Sequence, residues 1–280
     1  DKNVTVYAKV ESGYWITFDS DGGTYVPPAF YLSTAATVAP TAPTKPGYTF
    51  KGWFDETGAA FTFDEVLTGS VTLTAKWEAE SSTTYTINYW IENPNINDNG
   101  YSYYTSVKAT GKTGDTITLT SGQTGTGWLP SGTDSDLKKA INYNKTKTED
   151  ELREKTIAGD GTTVVNVYFT RQKYTISFWS VKWQSGFLGF GGKYVKGEEY
   201  TENRITAKYG ADIGDKWPTV NSSSTWATQY DSSSGPKGPY QVNLATMPFG
   251  GAEFYGPKTG RDSETAYYYV EVLPGETGPE

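Results

Sequence analysis

Tyr14-Trp-Ile-Thr-Phe-Asp-Ser-Asp-Gly-Gly23, Ala42-Pro-Thr-Lys-Pro-Gly-Tyr-Thr-Phe-Lys-Gly-Trp53 and Val71-Thr-Leu-Thr-Ala-Lys-Trp77 follow one another early in the chain. The first and last blocks alternate apolar and polar residues, the pattern of a half-buried strand. Asp21-Gly22-Gly23 reads as a tight turn, because Asp and Gly tolerate positive φ. Pro46-Gly47 punctuates the entry to the central block. Tyr48, Phe50 and Trp53 then bring aromatic mass to a core too small to rely on Leu and Ile. Gly52 reads as a point of close backbone approach.

The pattern recurs outside this stretch. Val4–Val10 resembles Val71–Trp77 as a unit-ending strand, and Val164–Phe169 and Tyr267–Val272 repeat the role. The opening strand recurs as Tyr85-Thr-Ile-Asn-Tyr-Trp90 and Tyr174-Thr-Ile-Ser-Phe-Trp179. Internal repetition of this kind marks tandem units. The expected organisation is a terminal strand of a preceding unit at 1–10, units at 11–79, 80–172 and 173–274, and a linker at 275–280. Glu78–Thr84 is polar enough to serve as a linker. Arg171-Gln172-Lys173 is a shorter joint, which suggests a semi-rigid, elongated array. Helix signals are few: a turn within Asp134–Tyr143, a capping box at Thr148-x-x-Glu151 before a segment to about Arg153, and a short piece at Gly210–Lys216.

The composition excludes much. The 280 residues include no Cys and no His, so disulfides, thiolate nucleophiles, zinc–sulfur sites and imidazole acid–base chemistry are ruled out. No cofactor is expected, and a metal could take only oxygen ligands. A net charge of −8 disfavours nucleic acid. No apolar run approaches the ~18 residues of a membrane span. Aromatic residues make up 15% of a chain that is only 36% hydrophobic. That combination favours several small aromatic cores over one large core or disorder.

The three blocks, in order over residues 14–77, closely resemble the Listeria–Bacteroides repeat, or internalin B-repeat. The resemblance implies a β-grasp fold, repeated in extracellular bacterial surface proteins and generally without enzymatic activity. Residues 80–172 resemble a companion module of such proteins more loosely, lacking the Gly-Tyr-x-Phe-x-Gly-Trp block. Residues 173–274 read as a divergent β-grasp unit. The fold class expected is therefore mainly β or α+β, as tandem small β-grasp-like units. The implied function is a non-catalytic, wall-associated spacer or scaffold of a Gram-positive surface protein, with a part in adhesion. Neighbouring repeats and a host or cell-wall glycan or protein are the partners to expect.

Few motifs carry chemistry. Asp19-x-Asp21-x-Gly23 begins like a calcium loop but lacks the later ligands, as Gly23 and Phe30 occupy those places. Asn95-x-Asn97-x-Asn99-Gly100 has better spacing but little charge, so a polar turn is the better reading. Gly186–Lys193 lacks the ending of a phosphate loop. Its apolar tip, flanked by aromatics, makes Trp183, Phe187, Leu188, Phe190 and Tyr194 the candidate ligand-contact residues. Trp217 and Trp226 extend that aromatic set. Asn88 and Asn166 lie in predicted strands of a lysine-containing chain. A Lys amine and an Asn carboxamide beside an acid can condense to an isopeptide bond, but the sequence selects no such trio.

Overall fold

Alternating burial builds the strands. The computed structural model describes residues 6–95, 100–187, 191–219, 225–241 and 243–259. They form three separate β-sheets, the β-rich fold that the alternation predicts. The first contains β1 (Gly13–Asp19), β2 (Ala29–Leu32), β3 (Tyr48–Phe54) and β4 (Val71–Ala79), in the order β2-β1-β4-β3. β1 is antiparallel to β2 and parallel to β4, and β3 is antiparallel to β4.

The second sheet contains β5 (Thr83–Glu92), β6 (Tyr101–Gly111), β7 (Ile141–Tyr143) and β8 (Val164–Arg171). Its order is β6-β5-β8-β7, with β5 parallel to β8. Between β6 and β8 lie three short helices, α1 (Ser121–Thr124), α2 (Ser135–Ala140) and α3 (Lys145–Leu152). The third sheet contains β9 (Lys173–Ser185), β10 (Gly192–Glu199), β11 (Ile205–Lys208), β12 (Trp226–Asp231), β13 (Gly235–Gln241) and β14 (Ala252–Thr259). Its main order is β10-β9-β14-β12-β13, and β11 pairs with the start of β9. β9 and β14 are parallel. One plan thus occurs three times: the opening strand lies beside the next strand in sequence and parallel to a late strand. A parallel pair requires a long crossover, and the intervening segment differs each time.

Contacts group the described residues into two compact units. One takes in residues 6–91, 103–130 and 143–169, and the other residues 92–95, 100–102, 131–142 and the described residues between 170 and 259. The first unit holds the first sheet and most of the second. Its first core gathers Ile16, Phe18, Val26, Trp53, Leu67, Leu73 and Ala75, with the Phe18 and Trp53 rings 4.7 Å apart. Under the second sheet, Tyr89 stacks flat on Trp128 at 4.0 Å and Phe169 tilts against both. In the second unit, Ile176, Phe178, Trp226, Met247 and Phe254 centre the core. Each aromatic side chain buries enough area to let so small a core hold. Within that unit the Lys208–Glu92 ion pair is largely buried.

Several local readings change. Residues 6–12 carry no strand, and Val6, Tyr7 and Val10 are exposed; a strand needs a neighbour for its backbone groups, and no described strand lies beside them. Glu78 and Ala79 belong to β4 and Thr83 to β5. Glu80 donates to Gly47 and accepts from Thr113, so this joint is hydrogen-bonded on both sides. Gly23 matters less for φ than for space: a Cβ there would lie 2.5 Å from the Trp77 ring, whose Nε1 donates to the Ser20 carbonyl. Gly52 is the reverse, with φ +118°, open surroundings and a β-bulge between Phe50 and Gly52.

Thr148 does not cap a helix. Asn144 caps α3, while Thr148 is fully buried in its middle and accepts the Tyr168 N–H. The capping box is instead at Thr120 and Gln123, before α1. Gly210–Lys216 yields only a 3₁₀ turn at Gly214–Lys216. The strand parallel to β9 is Ala252–Thr259, whereas the expected closing strand at 267–272 and the linker at 275–280 lie outside the described residues.

Candidate functional site

A sheet with one buried face leaves its other face to carry chemistry. On β5 the inward residues are Tyr85, Ile87, Tyr89 and Ile91, all buried. Asn88 and Trp90 therefore face outward. Parallel pairing sets Asn88 beside Asn166 and Trp90 beside Tyr168. The Trp90 and Tyr168 rings lie 6.4 Å apart and nearly parallel. Tyr103, from β6, meets the other side of Trp90 edge-on at 5.8 Å. Lys147, from α3, holds its ammonium 4.6 Å from the Tyr168 ring centre, within cation–π range.

Asn166 is the hub of the polar row above these rings. Its Oδ1 accepts from Trp90 Nε1 at 2.9 Å and from Asn88 Nδ2 at 3.4 Å. Its Nδ2 donates to Glu151 Oε1 at 2.8 Å. Donors on one side and an acceptor on the other fix the amide orientation. The same Glu151 oxygen receives Lys155 Nζ at 2.5 Å. Burial pushes the Glu151 carboxyl upward, but the hydrogen bonds from Lys155 and Asn166 and the charges of Lys155 and Lys147 outweigh it and hold the group below its ordinary value. A surface cleft of about 460 Å³ opens beside this row, lined by Asn144, Thr146, Lys147, Asp150, Glu151 and Tyr168.

The third sheet carries a second version. Pairing sets Ser177 beside Glu253 and Trp179 beside Tyr255. Lys196, from β10, lies 3.6 Å over the Trp179 ring and donates to both Glu253 oxygens at 2.8 Å. The Tyr255 hydroxyl donates to Glu253 as well, and the Tyr230 ring packs on Tyr255 at 5.0 Å. Lys196 and then Tyr255 keep Glu253 low. Burial, and then the bond to Glu253, push Tyr255 up to about 12. The first sheet has Asp19 beside Thr74 at the matching position, so it lacks the aromatic pair.

The sequence-based candidates fall elsewhere. Trp183 and Tyr194 sit opposite each other on β9 and β10, rings 5.0 Å apart. Tyr194 is buried and Phe187 is 86% exposed. Leu188 and Phe190 lie outside the described residues. Trp226 is buried in the third core, and Trp217 packs edge-on against Phe178 and Phe254. The Asp19 carboxylate accepts the Asp21 N–H, which is turn chemistry. Asn95 accepts the Asp212 N–H, and 96–99 lie outside the described residues. Among the described residues no three His, Cys, Asp or Glu side chains form a group that could hold a metal. Sequence reasoning missed Trp90, Glu151, Lys155, Trp179, Lys196 and Tyr255. The aligned opening strands did hold a signal, since Trp90 and Trp179 close the same repeated block.

The three sheets, with their shared strand plan, define a class of β-rich repeat proteins. Residues 14–76 match the family model of the Listeria-Bacteroides repeat domain. Two proteins of Evansella cellulosilytica also match part of the chain. One, provisionally named a Gly-rich membrane protein, is 34% identical over 81 residues, covering 28% of this chain and 9% of its own length. The other, provisionally named a membrane protein, is 33% identical over 90 residues, covering 31% and 13%. The matched stretch is thus about a tenth of either relative.

Proposed function

We propose that this chain is a non-catalytic repeat region of a bacterial cell-surface protein, in which β-grasp-type units serve as spacer and scaffold. The observation that carries the reading is the strand plan common to all three sheets, with the family match on the first. Relatives named as membrane proteins support a place at the cell envelope. Repeated small units with their own cores add length in increments, as a spacer needs. Protease shaving of intact cells that make the full-length protein tests this: peptides from this region should appear in the supernatant before lysis. Their recovery only after lysis would reject a surface location. Stretching the chain by single-molecule force should give several separate unfolding events, and one cooperative event would reject independent units.

A second reading is supported by the outer face of the third sheet. Trp179, Tyr255 and Tyr230 offer ring faces, with Lys196 and Glu253 as polar groups beside them. Such faces suit sugar rings, and the exposed Phe187 lies in the same unit. A glycan array should then show binding that Trp179→Ala and Tyr230→Ala reduce at least tenfold. An array without binding would leave the scaffold reading alone.

A further inference from the structure

The Glu151 carboxylate holds the Lys155 ammonium and the Asn166 carboxamide on one oxygen atom, and two N–H donors meet the carboxamide oxygen. We propose that Lys155 and Asn166 form an intramolecular isopeptide bond, with Glu151 as the proton carrier. The inference does not depend on the surface reading.

Each part of the condensation has a residue in place. Lys155 Nζ is the nucleophile and Asn166 Cγ the electrophile. Trp90 Nε1 and Asn88 Nδ2 both point at Asn166 Oδ1, where negative charge grows when the amine adds. Two N–H donors at that atom form an oxyanion hole. Lys155 Nζ and Asn166 Nδ2 both bond Glu151 Oε1. That single oxygen can take the proton Nζ sheds and deliver it to the departing nitrogen. The new bond is Nζ–Cγ, the bond broken is Cγ–Nδ2, and ammonia leaves. No oxidant, reductant or other reactant is required.

The setting favours the reaction in further ways. Glu151 is in the last turn of α3, Lys155 follows just beyond the helix end, and Asn166 is on β8. α3 is held against β8 by the Thr148 hydroxyl, and the backbone of Lys155 is bonded to Leu152 and Ile117, which raises the effective concentration of amine and amide. Lys155 Nζ is also held by the Val164 carbonyl at 3.3 Å, one further anchor on β8. The Lys155 side chain is 36% exposed, which gives ammonia a way out. Lys155 starts as the ammonium of the ion pair, so one proton passes to solvent before the attack, and a second, shed by Nζ as it adds, goes through Glu151 to the departing nitrogen. The third sheet makes the contrast: Lys196 and Glu253 are paired there, but among the described residues no carboxamide joins them.

Intact mass of the full chain, taken fresh and after prolonged incubation, tests the proposal. The expected result is a loss of one ammonia that grows with time. Digestion should then yield one branched peptide joining Lys155 to Asn166. Lys155→Arg and Asn166→Ala should abolish the loss, and Glu151→Gln should slow it at least tenfold while circular dichroism stays native. An unchanged mass in the wild-type chain at both times overturns the proposal, whatever the variants do. So does an ammonia loss that persists in Lys155→Arg, which would belong to succinimide formation at a site such as Asn99-Gly100.

Discussion

The outer faces of the second and third sheets hold the same cross-strand pair, Trp90 with Tyr168 and Trp179 with Tyr255, but surround it differently. In the second sheet an amide one step along the strand takes the indole N–H, and a helix supplies lysine and carboxylate. In the third, a carboxylate occupies the amide's position, lysine comes from a neighbouring strand, and Trp179 Nε1 is buried with no hydrogen-bond partner. The difference teaches where each feature originates. The aromatic pair comes from the repeated strands and their parallel register. The polar shell comes from the residue at one position of the late strand, Asn166 or Glu253, and from what packs beside it, α3 in one case and β10 in the other. A repeat can thus keep one scaffold and change the chemistry on it.

The largest effect should separate inner from outer faces. Phe178 is fully buried among Trp217, Trp226 and Phe254. Phe178→Ala should cost about 3–5 kcal/mol in denaturant unfolding, from lost burial and the cavity left behind. Trp179→Ala, one residue on and across the sheet, should cost roughly 1–2 kcal/mol, since it loses partial burial and one cation–π contact. Equal costs would mean that Trp179 is core and not display surface. In the second core, Tyr89→Phe should be neutral or slightly stabilising. It deletes a buried hydroxyl that has no partner, and such a group carries an unrepaid desolvation cost.

The next effect compares the two polar shells. Asn166→Ala removes an amide with three partners and strands the Trp90 N–H, so about 1–3 kcal/mol should be lost. Glu253→Ala removes an ion pair whose carboxylate side chain is 49% exposed, for which under about 1 kcal/mol is expected. Urea titration of both variants checks the order. A larger loss from Glu253→Ala would show that the third sheet, not the second, depends on its outer shell.

Strand alternation made the sheets legible in the sequence, since Tyr85–Ile91 and Ile176–Phe178 bury every second residue. The family blocks made the first sheet legible too. The polar shell was not legible for a physical reason. Glu151 is 15 residues from Asn166, and they meet because α3 packs along β8 through the buried Thr148 hydroxyl. A Thr-x-x-Glu spacing looks the same whether the Thr caps a helix or buries in it, and only packing distinguishes the two. The Trp183–Tyr194 loop drew attention because its composition is unusual, whereas Trp90 and Trp179 sat inside ordinary strand patterns and read as core.

Acid should produce the smallest difference and still discriminate. Glu151 and Glu253 are both held below the ordinary carboxylate value. A depressed folded-state pKa adds stability that is present above the unfolded value and lost as pH falls through the folded one. The melting temperature should therefore fall from about pH 5 towards about pH 3, around and below the unfolded glutamate value of roughly 4.3. Glu253→Gln should flatten part of that slope, because Lys196 and Tyr255 no longer favour an ionised partner. For Glu151 the outcome depends on Lys155. While Lys155 is a free ammonium, Glu151→Gln should flatten the slope in the same way. Once Lys155 is joined to Asn166, its charge is gone and the main support for ionised Glu151 is lost. The acid slope of aged protein should then be shallower than that of fresh protein, and Glu151→Gln should abolish this ageing effect. Identical acid slopes for fresh and aged protein would mean that Lys155 keeps its charge.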